Sequence, residues 1–186
     1  MTRTIDESRR AELLDAVVAH LEREGVASLS LRPLATELDT SARMLLHYFG
    51  SKAELVDRAL RAARPDVDGL VRDIDSLDEL RRAARVMWRS ITRGVQRPSM
   101  NVLNEVMGLA VAQPDTFGST ARSSVHAWVT PVRDALIALG RTRVDAAATA
   151  TGLVSGLRGL AMDVAVTREW SRVDRAADAL IDRLLV

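Results

Sequence analysis

The sequence contains no cysteine, which excludes a disulfide framework and a thiolate zinc site. No apolar run approaches the roughly 20 residues that a membrane span needs. The N-terminus, with Asp6, Glu7, Arg9 and Arg10, has no signal-peptide core, so a cytoplasmic location and no membrane partner are expected. Aromatic residues are few, with three Trp, two Phe and one Tyr. Lysine is nearly absent. Lys52 is the only lysine among 26 cationic residues, which is compatible with a position that demands a compact ammonium. Neither sign of charge dominates, the net charge being +1. Motifs for catalysis are missing as well. His20, His47 and His126 are scattered, and there is no HExxH, EF-hand loop, Gly-rich phosphate loop or Gly-x-Ser-x-Gly. Glu105 and Asp115 have no evident partner in sequence. No enzyme activity, metal or cofactor is therefore expected.

What is present is helical. At 186 residues, nearly half apolar and about a quarter charged, the chain suits a small domain attached to a larger one. Leu13, Leu14, Val17, Val18 and Leu21 recur at helical spacing after a Thr4/Glu7 capping box, and Gly25 ends that run. A helix opened by Ser51 and Glu54 reaches about Arg64. Pro65, Asp66 and Gly69 then dilute the pattern, so the domain boundary is placed there, giving 1–64 and 65–186. Ser76/Glu79 starts a further helix that ends before Pro98. Segments of about 100–112, 116–139 (bent near Pro131), 144–167 and 173–185 complete the chain. No segment alternates with period two, which predicts an all-α protein of about nine helices.

The most informative stretch runs from Leu31 to Lys52. Ser30 is placed to cap a helix with Pro33 in its first turn, and Leu31, Leu34, Ala35 and Leu38 share one face. Asp39 and Thr40 break it, Asp being a residue that tolerates a left-handed backbone. Ser41 caps a second helix whose Leu45 and Phe49 face a core while Arg43, Met44, His47 and Tyr48 lie on other faces. Lys52 stands in the first turn of the third helix, near where a phosphate would meet free N–H groups. The layout is a helix-turn-helix, whose work is to hold DNA.

This pattern resembles the N-terminal domain of the TetR family of one-component transcriptional regulators. The residues that carry the likeness are Ala11 to Leu21 with Gly25, Leu34-Ala35, and Tyr48-Phe49-Gly50-Ser51-Lys52 with Leu55. The chain departs from the family in having Asp39 where glycine is usual, and Leu46 where the family has a phosphate-binding tyrosine. Ser41, Arg43 and His47 are the base-edge candidates. Arg32, Tyr48 and Lys52 suit phosphates, and Arg3 suits the minor groove. Residues 1–63 hold nine basic and ten acidic side chains. Arg3, Arg32, Arg43 and Lys52 can nevertheless converge while Glu12, Asp15, Glu22 and Glu24 occupy the first helix.

Two further constellations lie in the larger domain. Gly152, Gly156 and Gly159, with Ala146, Ala147, Ala148, Ala150 and Ser155, make a smooth helix surface that another helix can approach closely. The resemblance implies a homodimer built on the last two helices, for which Leu153, Gly156, Leu157, Leu160, Leu180, Ile181 and Leu184 are candidates; packing within the domain is the other reading. Met87, Trp88, Ile91, Leu103, Met107, Phe117, His126, Trp128 and Met162 are candidates for a pocket around a small apolar effector, with His126 or Asn101 orienting a polar group. The expected function is a dimeric, ligand-responsive regulator, by resemblance a repressor on a palindromic double-stranded operator. The alternative is a helical ligand-binding or protein-interaction dimer whose DNA-binding head no longer functions.

Overall fold

The computed structural model describes residues 6–186. They form ten helices and no strand: α1 (Glu7–Glu24), α2 (Leu31–Glu37), α3 (Ala42–Phe49), α4 (Lys52–Ala63), α5 (Val67–Val71), α6 (Leu77–Thr92), α7 (Arg97–Ala112), α8 (Pro114–Ala138), α9 (Arg143–Thr167) and α10 (Trp170–Leu184). The all-α architecture agrees with the sequence reading, and the helix beyond the nine is α5, a short turn capped by Asp66 in the stretch where the pattern thins. None of these helices is long and apolar enough to cross a membrane. The chain groups into two compact units, one holding the residues up to Arg64 together with Pro98–Arg122, the other Pro65–Arg97 and Ser123–Val186. The second is therefore not the continuous stretch 65–186.

In the first unit, Leu13, Val17 and Leu21 of α1, Leu34 and Ala35 of α2, Leu45 and Phe49 of α3, and Leu55, Val56 and Ala59 of α4 make the core. Local chemistry fixes the ends. Asp6, rather than Thr4, caps α1 by accepting from the Arg9 N–H at 3.1 Å; Thr4 lies outside the described residues. Ser30 stands at the start of α2 without a side-chain cap bond. Ser41 caps α3, and Ser51 with Glu54 closes a full capping box on α4. The α2–α3 turn is left-handed at Asp39, φ +47°. There the Thr40 N–H donates to the Ala35 carbonyl at 2.9 Å, so Asp39 does the work that glycine does elsewhere.

Helix α7 is tied to the same unit by polar contacts. Ser99 donates to the Glu22 carboxylate, and the Glu105 carboxylate accepts from the N–H groups of Val26 (2.7 Å) and Ala27 (3.2 Å). These bonds explain why residues 98–122 group with the head.

In the second unit, α9 lies along α10, and both pack on α6. A Cβ at Gly156 would stand 2.5 Å from Leu180 Cδ2, and one at Gly152 would stand 3.5 Å from Leu184 Cδ1. The small residues of α9 thus bring α10 close within one chain. Ion pairs stitch the edge: Arg85 reaches Asp178 (3.0 Å) and Asp182 (2.6 Å), and Arg93 pairs with Asp174 and lies 4.2 Å above the Trp170 ring.

Candidate nucleic-acid interface and effector cavity

Helix α3 presents Arg43, Leu46 and His47 to solvent while Leu45 and Phe49 are buried. This is the division that a recognition helix requires. Among the described residues Arg43 and Arg32 have no carboxylate partner, so their donors are available for base edges or phosphates. The Ser41 oxygen accepts from the Met44 N–H at 3.2 Å, which leaves the hydroxyl proton free to donate. His47 meets the Tyr48 ring edge-on at 5.5 Å between centroids, and Tyr48 is half-buried. Leu46, in the place of the family's tyrosine, is 42% exposed and offers only an apolar surface. The Lys52 ammonium donates to the Leu29 carbonyl at 2.6 Å, so it braces the entry to α2 while keeping two further N–H groups. Arg3 lies outside the described residues.

The near-neutral head sorts its charges. Glu7 pairs with Arg10, Glu12 with Arg9, Glu24 with Arg23, and Asp57 with Arg61. Glu37 accepts from Arg23 at 2.5 Å and contacts His20 Nδ1 at 2.7 Å; Arg23 first and His20 second hold its carboxyl below the ordinary range. These five carboxylates are taken up locally, whereas Asp15, Asp39, Arg32, Arg43, Lys52 and Arg58 are in no ion pair among the described residues.

The second unit holds a narrow cavity of about 40 Å³ whose walls are entirely apolar. Val67, Leu70 and Val71 of α5, Leu80, Met87 and Ile91 of α6, Trp128 and Val132 of α8, and Leu153, Val154 and Leu157 of α9 line it. Of the anticipated pocket residues, Met87, Ile91 and Trp128 are there. The others are elsewhere, for identifiable reasons. Trp88 is buried against α10, its Nε1–H donating to Asp174 at 2.9 Å; Arg93, then burial in opposition, then this indole set the Asp174 carboxyl, with a net shift below the usual range. Leu103 and Phe117 are buried in the first unit, to which Met107 also belongs. His126 and Asn101 are exposed, and Met162 is 47% exposed.

The residues proposed for a dimer contact also divide. Leu153 and Leu157 belong to the cavity wall, Ile181 is fully buried, and Gly156 faces Leu180 of its own chain. Leu160, Leu180 and Leu184, with Gly156, retain part of their surface.

Two features had no sequence signal of their own. Glu105 has no apparent partner in sequence because the N–H groups from which it accepts lie 79 and 78 residues earlier; Gly25, where a Cβ would stand 2.6 Å from Glu105 Oε1, is the one local hint. The α5 wall of the cavity comes from the stretch that sequence pattern treats as a break.

By class, the described residues make an all-helical chain whose α2 and α3 have the layout of a helix-turn-helix, with one face of α3 exposed. Residues 13–59 match the family model described as bacterial regulatory proteins, tetR family. The HTH-type transcriptional regulator BetI of Paraburkholderia xenovorans is 33% identical over 90 residues, which span 48% of this chain and 43% of that relative. The matched stretch is thus less than half the length of the curated relative. The multidrug binding protein EbrR, solved in complex with proflavin, is 25% identical with a TM-score of 0.67, covering 95% of this chain and 99% of that one. A TetR transcriptional regulator from Legionella pneumophila is 13% identical, has a TM-score of 0.72 and covers 98% of both chains, a likeness of fold. Residues 13–59 thus match the tetR family model, and the chain as a whole shares its fold with solved TetR-family regulators.

Proposed function

We propose that the protein is a dimeric transcriptional repressor that binds a palindromic operator and is released by a small apolar effector. The observation that carries this reading is the recognition helix α3, held rigidly by Leu45 and Phe49 while Arg43 stands exposed and unpaired among the described residues. Arg43, Ser41 and His47 read base edges; Arg32, Tyr48 and Lys52 hold phosphates, and Arg3 the minor groove. Two such heads about 34 to 36 Å apart read successive major grooves. The outward face of α9, with Thr151, Gly152, Ser155, Gly159, Met162 and Val166, is exposed in the single chain. Together with Leu160, Leu180 and Leu184 it supplies the dimer contact.

The effector site is the apolar cavity. At about 40 Å³ it is far smaller than the roughly 300 Å³ or more that drug-sized ligands fill. A ligand can therefore enter only by spreading the walls, and a form with spread walls is a second conformation to which binding shifts the population. If that conformation places the heads wrongly for the operator, a few kcal/mol of differential binding releases DNA. The proflavin-bound relative supports a ligand role for this domain.

The test is selection of genomic fragments on the purified protein at moderate and high salt. Recovery of one palindromic site supports the reading; recovery of nothing above background at either salt rejects a functional head and leaves the cavity as the centre of activity.

A further inference from the structure

Helix α3 divides its side chains between a core and a free face. Leu45 and Phe49, each 1% exposed, anchor it in the first unit. Arg43, Leu46, His47 and Gly50 are exposed, and they fall at i, i+3, i+4 and i+7, one stripe of the helix. Leu46 stands inside that stripe, one turn after Arg43. It is 42% exposed, and among the described residues up to Arg64 it is the one large apolar side chain left exposed.

A single exposed leucine at an arbitrary surface position needs no explanation. The surroundings of Leu46 distinguish it. It adds nothing to the core, which Leu45 and Phe49 supply from the other side of the same helix. It has no donor for a phosphate oxygen and no polar atom for a base edge. Its neighbours nevertheless suit a polyanion: Arg32, Arg43 and Lys52 are in no ion pair among the described residues. In the major groove of an unmodified duplex, the group that an apolar side chain can recognise is the C5-methyl of thymine.

We infer that Leu46 is a specificity-determining residue that packs on the C5-methyl group of a thymine in each half of the operator. The three residues from Arg43 to Leu46 advance about 4.5 Å along the helix. At about 3.4 Å per base-pair step, the thymine lies about one or two base pairs from the base that Arg43 reads. This rests on the DNA-binding reading above.

The test starts from a pool of random duplexes, from which the full-length protein selects a site. Each thymine of that site is then exchanged singly for uracil, which removes the methyl group and keeps the base pair. Mobility-shift affinities are compared for the wild-type protein, Leu46→Ala and Leu46→Met. At one thymine per half-site the exchange is expected to weaken wild-type binding about threefold to fivefold, the worth of one buried methyl group. Leu46→Met keeps that sensitivity because it keeps a long apolar side chain, whereas Leu46→Ala loses it, so the protein and base changes are non-additive. A selected site without thymine, or with none that responds to the exchange in the wild-type protein, overturns the assignment and leaves DNA binding standing. Undiminished sensitivity in Leu46→Ala overturns it as well, because another side chain then reads the methyl group. Selection of no site overturns the DNA-binding reading along with the proposal. The wild-type scan can refute the assignment even if a variant fails to fold.

Discussion

Replacing Glu105 by Ala should destabilise the first unit more than any other single exposed-side change in it. The carboxylate accepts from two N–H groups, those of Val26 at 2.7 Å and Ala27 at 3.2 Å. Their surroundings differ. Val26 is 1% exposed, so its donor has no water to turn to once the carboxylate is gone, whereas Ala27 is exposed and rehydrates. One stranded donor and one lost bond to a charged acceptor together cost about 2 to 3 kcal/mol. With a urea dependence of about 2 kcal/mol per molar, the unfolding midpoint should fall by about 1 to 1.5 M. Glu105→Gln keeps the shape and one neutral acceptor, so about half that loss is expected. Gly25 gives an internal control. A Cβ there would stand 2.6 Å from Glu105 Oε1, and the position has φ +79°, so Gly25→Ala carries both a steric and a backbone penalty. In the Glu105→Ala background the steric part vanishes and only the backbone part, about 1 kcal/mol, remains. Equilibrium unfolding of the two single variants and the double variant measures the coupling directly. A midpoint shift below about 0.3 M for Glu105→Ala, or strict additivity with Gly25→Ala, would refute the clamp.

Three further outcomes follow from particular contacts. Arg43→Ala should cost about 1 to 3 kcal/mol at one operator position and relax selectivity there, whereas Lys52→Ala should weaken all sequences alike, as competition binding with operator and random duplexes would reveal. Gly159 is exposed and a Cβ there meets nothing within 4 Å, so Gly159→Arg should raise helix stability by about 0.8 kcal/mol yet convert the dimer to monomer in sedimentation; Gly156→Leu cannot make this distinction because it strikes Leu180 first. Asp174 has a folded-state acidity below its ordinary value, with Arg93 the main cause, so the stability it contributes is present above its unfolded value, near pH 4, and is lost as pH falls through its lower folded value. Asp174→Ala should strand the Trp88 N–H at a cost of about 1 to 3 kcal/mol at neutral pH, with the gap to wild type narrowing in acid denaturation below about pH 4.

The sequence is most readable where structure is local. Ser41, Ser51 with Glu54, and Gly25 mark helix ends because a cap is settled within four residues, and Asp39 marks the turn because few side chains tolerate its backbone. Helix α6 follows from the Ser76/Glu79 box and apolar spacing, and α10 from apolar spacing. Long-range placement is not encoded in spacing. Leu153 and Leu157 read equally well as dimer contact or as core, and only the position of α6 and α8 makes them cavity wall. Leu103 and Phe117 share the apolar character of Met87 and Ile91, yet α7 and the start of α8 pack with the head, so they line nothing in the second unit. Trp88 reads in sequence as a pocket aromatic, yet its indole N–H donates to Asp174, 86 residues away. A spacing rule cannot report on a bond of that separation.

The charge of the head leads to a last quantitative expectation. Counting side chains gives ten acidic against nine basic groups over residues 1–63, which by itself argues against a polyanion partner. The ion pairs leave that total unchanged and alter only where the charge sits. Glu7, Glu12, Glu24, Glu37 and Asp57 are each paired with an arginine or histidine. Glu22 accepts from Ser99, Glu54 from the Ser51 N–H, and Glu105 of the same unit is held by the Val26 and Ala27 N–H groups. The cations of the α2–α3–α4 segment outside any ion pair among the described residues are Arg32, Arg43, Lys52 and Arg58, of which the first three are the DNA candidates. A dimer then places about six cations on the duplex, and counterion release gives a slope of log affinity against log salt near −5, at about 0.9 per neutralised phosphate. If Arg3 of each copy also enters the groove, the slope steepens by about 2. Mobility-shift affinities between about 50 and 200 mM salt cover the range in which such slopes are read. A slope shallower than about −2 would mean that the free cations do not meet the backbone, whereas one steeper than about −8 would mean that the intrahelical ion pairs of α1 open on DNA and release arginines counted here as occupied.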